Sequence, residues 1–141
     1  MIKVEKSGRA ALADKEVEKV IKKALMAARI KKAYVSVAFV SSSEIRKWNN
    51  IYRNKNEATD ILSFGFNKAV GDAARWKVAG ELLISEREAR ANAKDKKSSL
   101  KKELQLLLTH GALHLAGYDH EKKSEELLMF ALQDKILKSI I

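Results

Sequence analysis

A chain of 141 residues, 46% of them hydrophobic, can bury one core and is too short for two ordinary domains, so a single domain over residues 1–141 is expected. It has no cysteine, which excludes disulfides and thiolate metal sites and leaves nitrogen and oxygen as the only ligands available to a metal. Lysine and arginine outnumber aspartate and glutamate by 28 to 18, a formal charge of +10, which favours a polyanionic partner on electrostatic grounds without identifying one.

No apolar run approaches the length of a membrane span, and the opening Met1-Ile2-Lys3-Val4-Glu5-Lys6 lacks the uninterrupted apolar stretch of a signal peptide. The expectation is a cytoplasmic protein that does not contact membranes.

Ile2 to Glu5 reads as a short edge strand. From Ala10 the pattern turns helical, with Asp14 as a candidate N-cap before Val17, Val20, Ile21, Ala24, Leu25 and Ala28. The other face of this helix, with Lys15, Glu18, Lys19, Lys22 and Lys23, is a solvated face. Tyr34 to Val40 is rich in β-branched and aromatic residues and predicts a central strand. Ser41-Ser42-Ser43 then offers N-caps for a short helix through Ile45, Trp48, Ile51 and Tyr52 that ends near Arg53.

A polar, turn-forming stretch leads to a strand at Ile61 to Phe66. Asn67 to Lys77, which contains Gly71-Asp72, predicts an irregular or hairpin connection, and Val78 to Ser85 another strand. Ser85 can cap a helix from Glu86 to about Ala93, and Asn92 to Lys97 is a charged break. The helix from Leu100 to about Ala116 carries Leu104, Leu107, Leu108, Gly111 and Leu115 on one side with Leu106 and Leu113 nearly opposite, as a buried helix does. A last helix, about Ser124 to Lys138, is expected to pack through Leu127, Leu128, Ala131, Leu132 and Ile136. Together these elements predict an α+β domain: a small mixed four-stranded sheet packed with about five helices, with a metal site at the end of the buried central helix.

Every histidine in the chain falls between Thr109 and Glu121: His110, His114 and His120. Residues four apart share a helix face about 5–6 Å from each other, so His110 and His114 can reach one metal ion. His120 joins them only if the helix stops and the chain turns back. Gly117 supplies that stop, because glycine enters the left-handed conformation at a helix end without a Cβ penalty. The spacing His-x-x-x-His-x-x-Gly-x-x-His is the metal-binding part of the metzincin protease signature, but Gly111 stands where such proteases carry a glutamate general base. Zinc is expected here and proteolysis is not. Three nitrogen ligands fit a catalytic site with an open fourth position; the bland reading is a folding zinc, with Asp119 as fourth ligand, or histidines that only satisfy core hydrogen bonds.

His110 to His120 with its ending Gly117-Tyr118-Asp119-His120, the stretch Thr59-Asp60-Ile61-Leu62-Ser63-Phe64, and Tyr52-Arg53 upstream together resemble the YbeY family of bacterial endoribonucleases, which act in ribosomal RNA maturation. The resemblance covers most of the chain. It implies that His110, His114 and His120 bind one metal ion, usually taken as zinc, and that Arg53 is linked to activity. It also implies ribosomal RNA as partner, with ribosomal subunits or assembly proteins as further ones. The chain departs from the family pattern at Gly65, where proline is common, and at Gly80-Glu81, where a Gly-Asp pair is common.

A guanidinium donates two parallel hydrogen bonds to phosphate oxygens, which suits Arg53 to the dispersed charge of a phosphoryl-transfer transition state. With all histidines committed to a metal, proton transfer falls to a carboxylate, and Asp60, Glu81 and Asp119 are the candidates. Two other readings keep the same residues: a non-catalytic RNA-binding ribosome-assembly factor with a zinc site, and a metal hydrolase of another substrate.

Overall fold

The computed structural model describes residues 1–65, 78–118 and 123–140. Its elements, in chain order, are β1 (Ile2–Ser7), α1 (Asp14–Ala27), β2 (Ala33–Phe39), α2 (Ser42–Arg53), β3 (Ile61–Gly65), β4 (Val78–Ile84), α3 (Glu86–Asp95), α4 (Leu100–Leu115) and α5 (Lys123–Ile140). The predicted α+β class with a four-stranded mixed sheet and five helices is what the chain adopts. The predicted connection at residues 67–77 lies outside the described residues.

The strand order is β1-β2-β4-β3. β1 pairs with β2 and β2 with β4 in parallel, while β3 runs antiparallel to β4, with Ile61 opposite Ile84 and Gly65 opposite Gly80. Alternation along β2 sends Ala33, Val35, Val37 and Phe39 into the main core and leaves Tyr34, Ser36 and Ala38 half-buried on the opposite face. Helices α1 and α4 cover the first face. On the second, a smaller cluster of Ile45, Leu62 and Leu83 ties α2 to β3 and β4.

Serines start three of the helices, at Ser41 and Ser85 as expected and also at Ser99. The side chains of Ser41, Ser85 and Ser99 accept from the backbone N–H groups of Glu44, Glu88 and Lys102, each satisfying one orphan donor of a first turn. Asp14 does not act this way. Ala13 occupies the cap position of α1 without a side-chain bond, and Asp14 is the first helical residue, its carboxylate 2.6 Å from Lys6 Nζ. An acid in the first turn still favours the helix through its dipole.

The last helix is also turned differently from expectation. Leu132 and Ile136 face the core, but Met129 joins them, while Leu127 and Leu128 stand 63% and 64% exposed and Ala131 is exposed as well. Residues 127–132 are apolar without interruption, so periodicity does not define a phase there.

Candidate functional site

Helix α4 is the axis of the site. It packs against α1, α3 and α5 and lies on β3 and β4, and it buries residues on nearly every side. Its close approach to the sheet depends on Gly111. A Cβ there would sit 2.8 Å from Leu82 Cδ2 and 2.9 Å from Ile61 Cδ1. The position that holds the general base in a zinc peptidase is thus pressed against an apolar wall, with no room for a glutamate.

On either side of Gly111 along the helix, His110 and His114 present half-buried imidazoles one turn apart. Their ring centroids are 6.2 Å apart and their planes 13° from parallel. His110 Nδ1 hydrogen-bonds Gln133 Oε1 of α5 at 3.2 Å. With the amide oxygen as acceptor, the ring proton lies on Nδ1 and Nε2 is the basic nitrogen, which is how metal-binding histidines are commonly oriented.

Helix α4 ends where predicted. Gly117 adopts φ of 105°, its N–H donates to the His114 carbonyl, and the N–H of Tyr118 donates to that of Leu113. This pair of bonds is the Schellman arrangement. His120 and Asp119 lie outside the described residues, so the third predicted ligand is not placed. Among the described residues no three histidine or acidic side chains come together as a metal-holding group. The donor set of His110 and His114 suits a borderline-soft divalent ion, which imidazole nitrogen binds well.

The histidines line a cleft of about 640 Å³. Its opposite wall is Thr59 to Gly65, the loop before β3 and then β3 itself, and its rim is Tyr52 and Arg53 at the end of α2. Arg53 is therefore in the same cleft as His110 and His114, although it comes from the opposite side of the sheet. Its guanidinium is exposed and makes no ion pair or side-chain hydrogen bond among the described residues. Asn54 follows in the left-handed conformation, at φ of 57°, and ends the helix there.

Of the candidate carboxylates among the described residues, Asp60 and not Glu81 lines this cleft. Its Oδ2 accepts from Asn92 Nδ2 of α3 at 3.0 Å, and its Oδ1 accepts from Thr59 Oγ1 at 3.4 Å. Glu81 lines a separate groove on the α2 side of the sheet. Sequence reasoning missed Gln133 and Asn92, which orient His110 and Asp60. The available signal was weak: Gln133 is a polar residue in phase with Met129 and Ile136, the core positions of α5.

These features define an α+β domain whose site is a histidine-lined cleft at the free edge of a mixed sheet, with a guanidinium on its rim. The chain matches the family model described as Endoribonuclease YbeY over residues 2–141. It is 36% identical over 126 residues to an "Endoribonuclease YbeY" of Aquifex aeolicus, covering 89% of this chain and 82% of that protein. It is 39% identical over 110 residues to one of Macrococcus caseolyticus, covering 76% and 71%. A solution structure of a Thermotoga maritima protein is similar with a TM-score of 0.66 at 28% identity, covering 99% of this chain and 89% of that one. The chain belongs to the YbeY family.

Proposed function

We propose that this protein is a single-domain, single-strand-type endoribonuclease that cleaves ribosomal RNA during its maturation and in ribosome quality control, in the cytoplasm. In this reading His110, His114 and His120 hold one zinc ion, and Arg53 binds the scissile phosphate. The observation that carries the proposal is the meeting of Arg53 with His110 and His114 in one cleft, built from opposite sides of the sheet. Family membership supports the reaction class, and the charge of +10 supports a polyanionic substrate.

Bound at the histidines, zinc supplies Lewis-acid chemistry to water or to the phosphate. The remaining work belongs to the chain. Arg53 orients the phosphate by two parallel charge-assisted hydrogen bonds that strengthen as negative charge spreads over its oxygens. Asp60, held by Asn92 and Thr59, is a fixed carboxylate at the cleft wall, and in this reading it accepts the proton. Gln133 fixes the tautomer of His110.

The test is incubation of the metal-loaded protein with structured ribosomal RNA beside Arg53→Ala and His114→Ala. Cleavage by the wild type alone is expected, and equal cleavage by all three proteins sinks the reading. Elemental analysis should find about one zinc per chain, lost in His114→Ala. RNA binding that weakens with salt but never leads to cleavage would make the protein an assembly factor instead.

A further inference from the structure

Tyr52, Phe64 and Gly65 are shared between the histidine cleft and a second groove on the α2 side of the sheet. This second groove has a volume of about 490 Å³. Its wall is aromatic. Trp48 and Tyr52, four apart on α2, stack with centroids 5.7 Å apart and planes 24° from parallel, and Tyr52 meets Phe64 edge-on at 5.0 Å. Tyr52 is 62% exposed, so its ring offers open surface at the groove.

The charges divide between the two spaces. Among the described residues, the ionisable side chains that line the second groove, apart from Tyr52, are Glu44 and Glu81, with no cation, whereas the adjoining cleft sets Arg53 and the two histidines beside the single carboxylate of Asp60. Lys47 lies outside the groove, with Nζ 5.5 Å from the Trp48 ring centroid. A phosphate is repelled by the carboxylates and drawn to Arg53 and Lys47. A neutral, flat group with N–H donors on its edge is accepted by both the rings and the carboxylates.

We propose that this groove is a nucleobase subsite: an unpaired base of single-stranded RNA stacks on Tyr52 and Trp48 and donates to Glu81, while its chain continues into the histidine cleft. The inference rests on single-stranded RNA as the substrate and adds where one of its bases sits, in the aromatic groove that adjoins the histidine cleft. Aromatic faces bind bases this way because every base offers a π-face, and each stack contributes about tenfold or more in affinity.

The experiment compares a short single-stranded RNA with an abasic ribose-phosphate oligomer of equal length, mixed rapidly with the full-length, metal-loaded protein so that binding precedes turnover. Trp76→Phe leaves Trp48 as the sole tryptophan of the two in the chain, so its emission reports the groove. The expected result is quenching by the RNA but not by the abasic oligomer, with RNA bound about tenfold more tightly. Trp48→Leu and Tyr52→Leu, checked for folding by circular dichroism, should each remove most of that difference, and Trp48→Phe and Tyr52→Phe should restore it. Glu81→Gln should narrow the preference among bases. Equal affinity for RNA and abasic oligomer, or undiminished discrimination in both leucine variants, overturns the subsite. Base-dependent binding without ribosomal RNA cleavage would defeat the nuclease reading alone, and cleavage without base dependence would defeat the subsite alone.

Discussion

Helix α4 places nine of its 16 residues in the core, whereas α2 buries only Ile45 and Asn49 of its 12. Both helices contribute to one cleft, yet they hold their functional groups in opposite ways. His110 and His114 project from a helix clamped by three others and by the sheet; Arg53 and Tyr52 stand on a helix end open to solvent. The contrast suits the role proposed for each group. Metal ligands lose affinity when their geometry loosens, so they belong on a packed element. A guanidinium that captures a phosphate on a flexible polymer gains from reach, and exposure costs an always-charged group nothing.

The sharpest way to break α4 is Gly111→Glu, the substitution that would restore the sequence pattern of a zinc peptidase. It drives a Cβ against Leu82 and Ile61 and a carboxylate into an apolar wall. A loss of about 4 kcal/mol or more is expected from overpacking plus an unpaired buried charge, read by urea unfolding. Peptidase activity should not appear. An undiminished unfolding midpoint would mean that the helix can lift from the sheet.

On α2 the expected effect falls on rate instead. Arg53→Ala should lower cleavage about 100- to 1,000-fold, the usual cost of losing a transition-state donor, and shift stability by less than about 0.5 kcal/mol. Arg53→Lys should recover little of the rate because an ammonium does not donate two parallel bonds. Full activity in the lysine variant would reduce Arg53 to a point charge.

A smaller effect is expected from Lys96→Met. Glu103 is 2% exposed on α4 and both its oxygens accept from Lys96 Nζ, at 2.6 and 3.0 Å. Losing the cation leaves a buried carboxylate unpaired, although the half-exposed lysine is screened by solvent, so about 1–2 kcal/mol is expected in denaturant unfolding. The smallest comparison uses the caps. Ser99→Ala should cost about 1 kcal/mol of global stability, because α4 unfolds only with the core. Ser41→Ala removes a bond of the same 3.1 Å length, but its cost should appear mainly as faster amide exchange within α2. Equal global losses would erase the distinction between the two helices.

Much of this architecture was legible because it depends on local rules. Serines before periodic apolar runs marked helix starts at Ser41 and Ser85, the glycine at 117 marked a stop, and leucines on all sides of residues 100–116 marked a buried helix. Where local rules are silent the reading failed. In residues 127–132 an unbroken apolar run left the facing side of α5 open, and packing against α1 and α4 selected Met129 over Leu127 and Leu128. Asn92 was read as part of a charged break, yet its amide holds Asp60, a residue 32 positions away.

The sequence alone determined the chemistry on offer: imidazoles four residues apart on a buried helix, no thiols, no glutamate between the histidines, and an excess of positive charge. Those properties follow from residue identity and helical periodicity, which act over one or two turns. Tertiary structure decided that Arg53 shares a cleft with His110 and His114, that Gly111 is pressed onto Leu82, and that Gln133 and Asn92 orient the site. These relations join residues far apart in the chain through the order and register of the strands, and no local periodicity encodes such pairings.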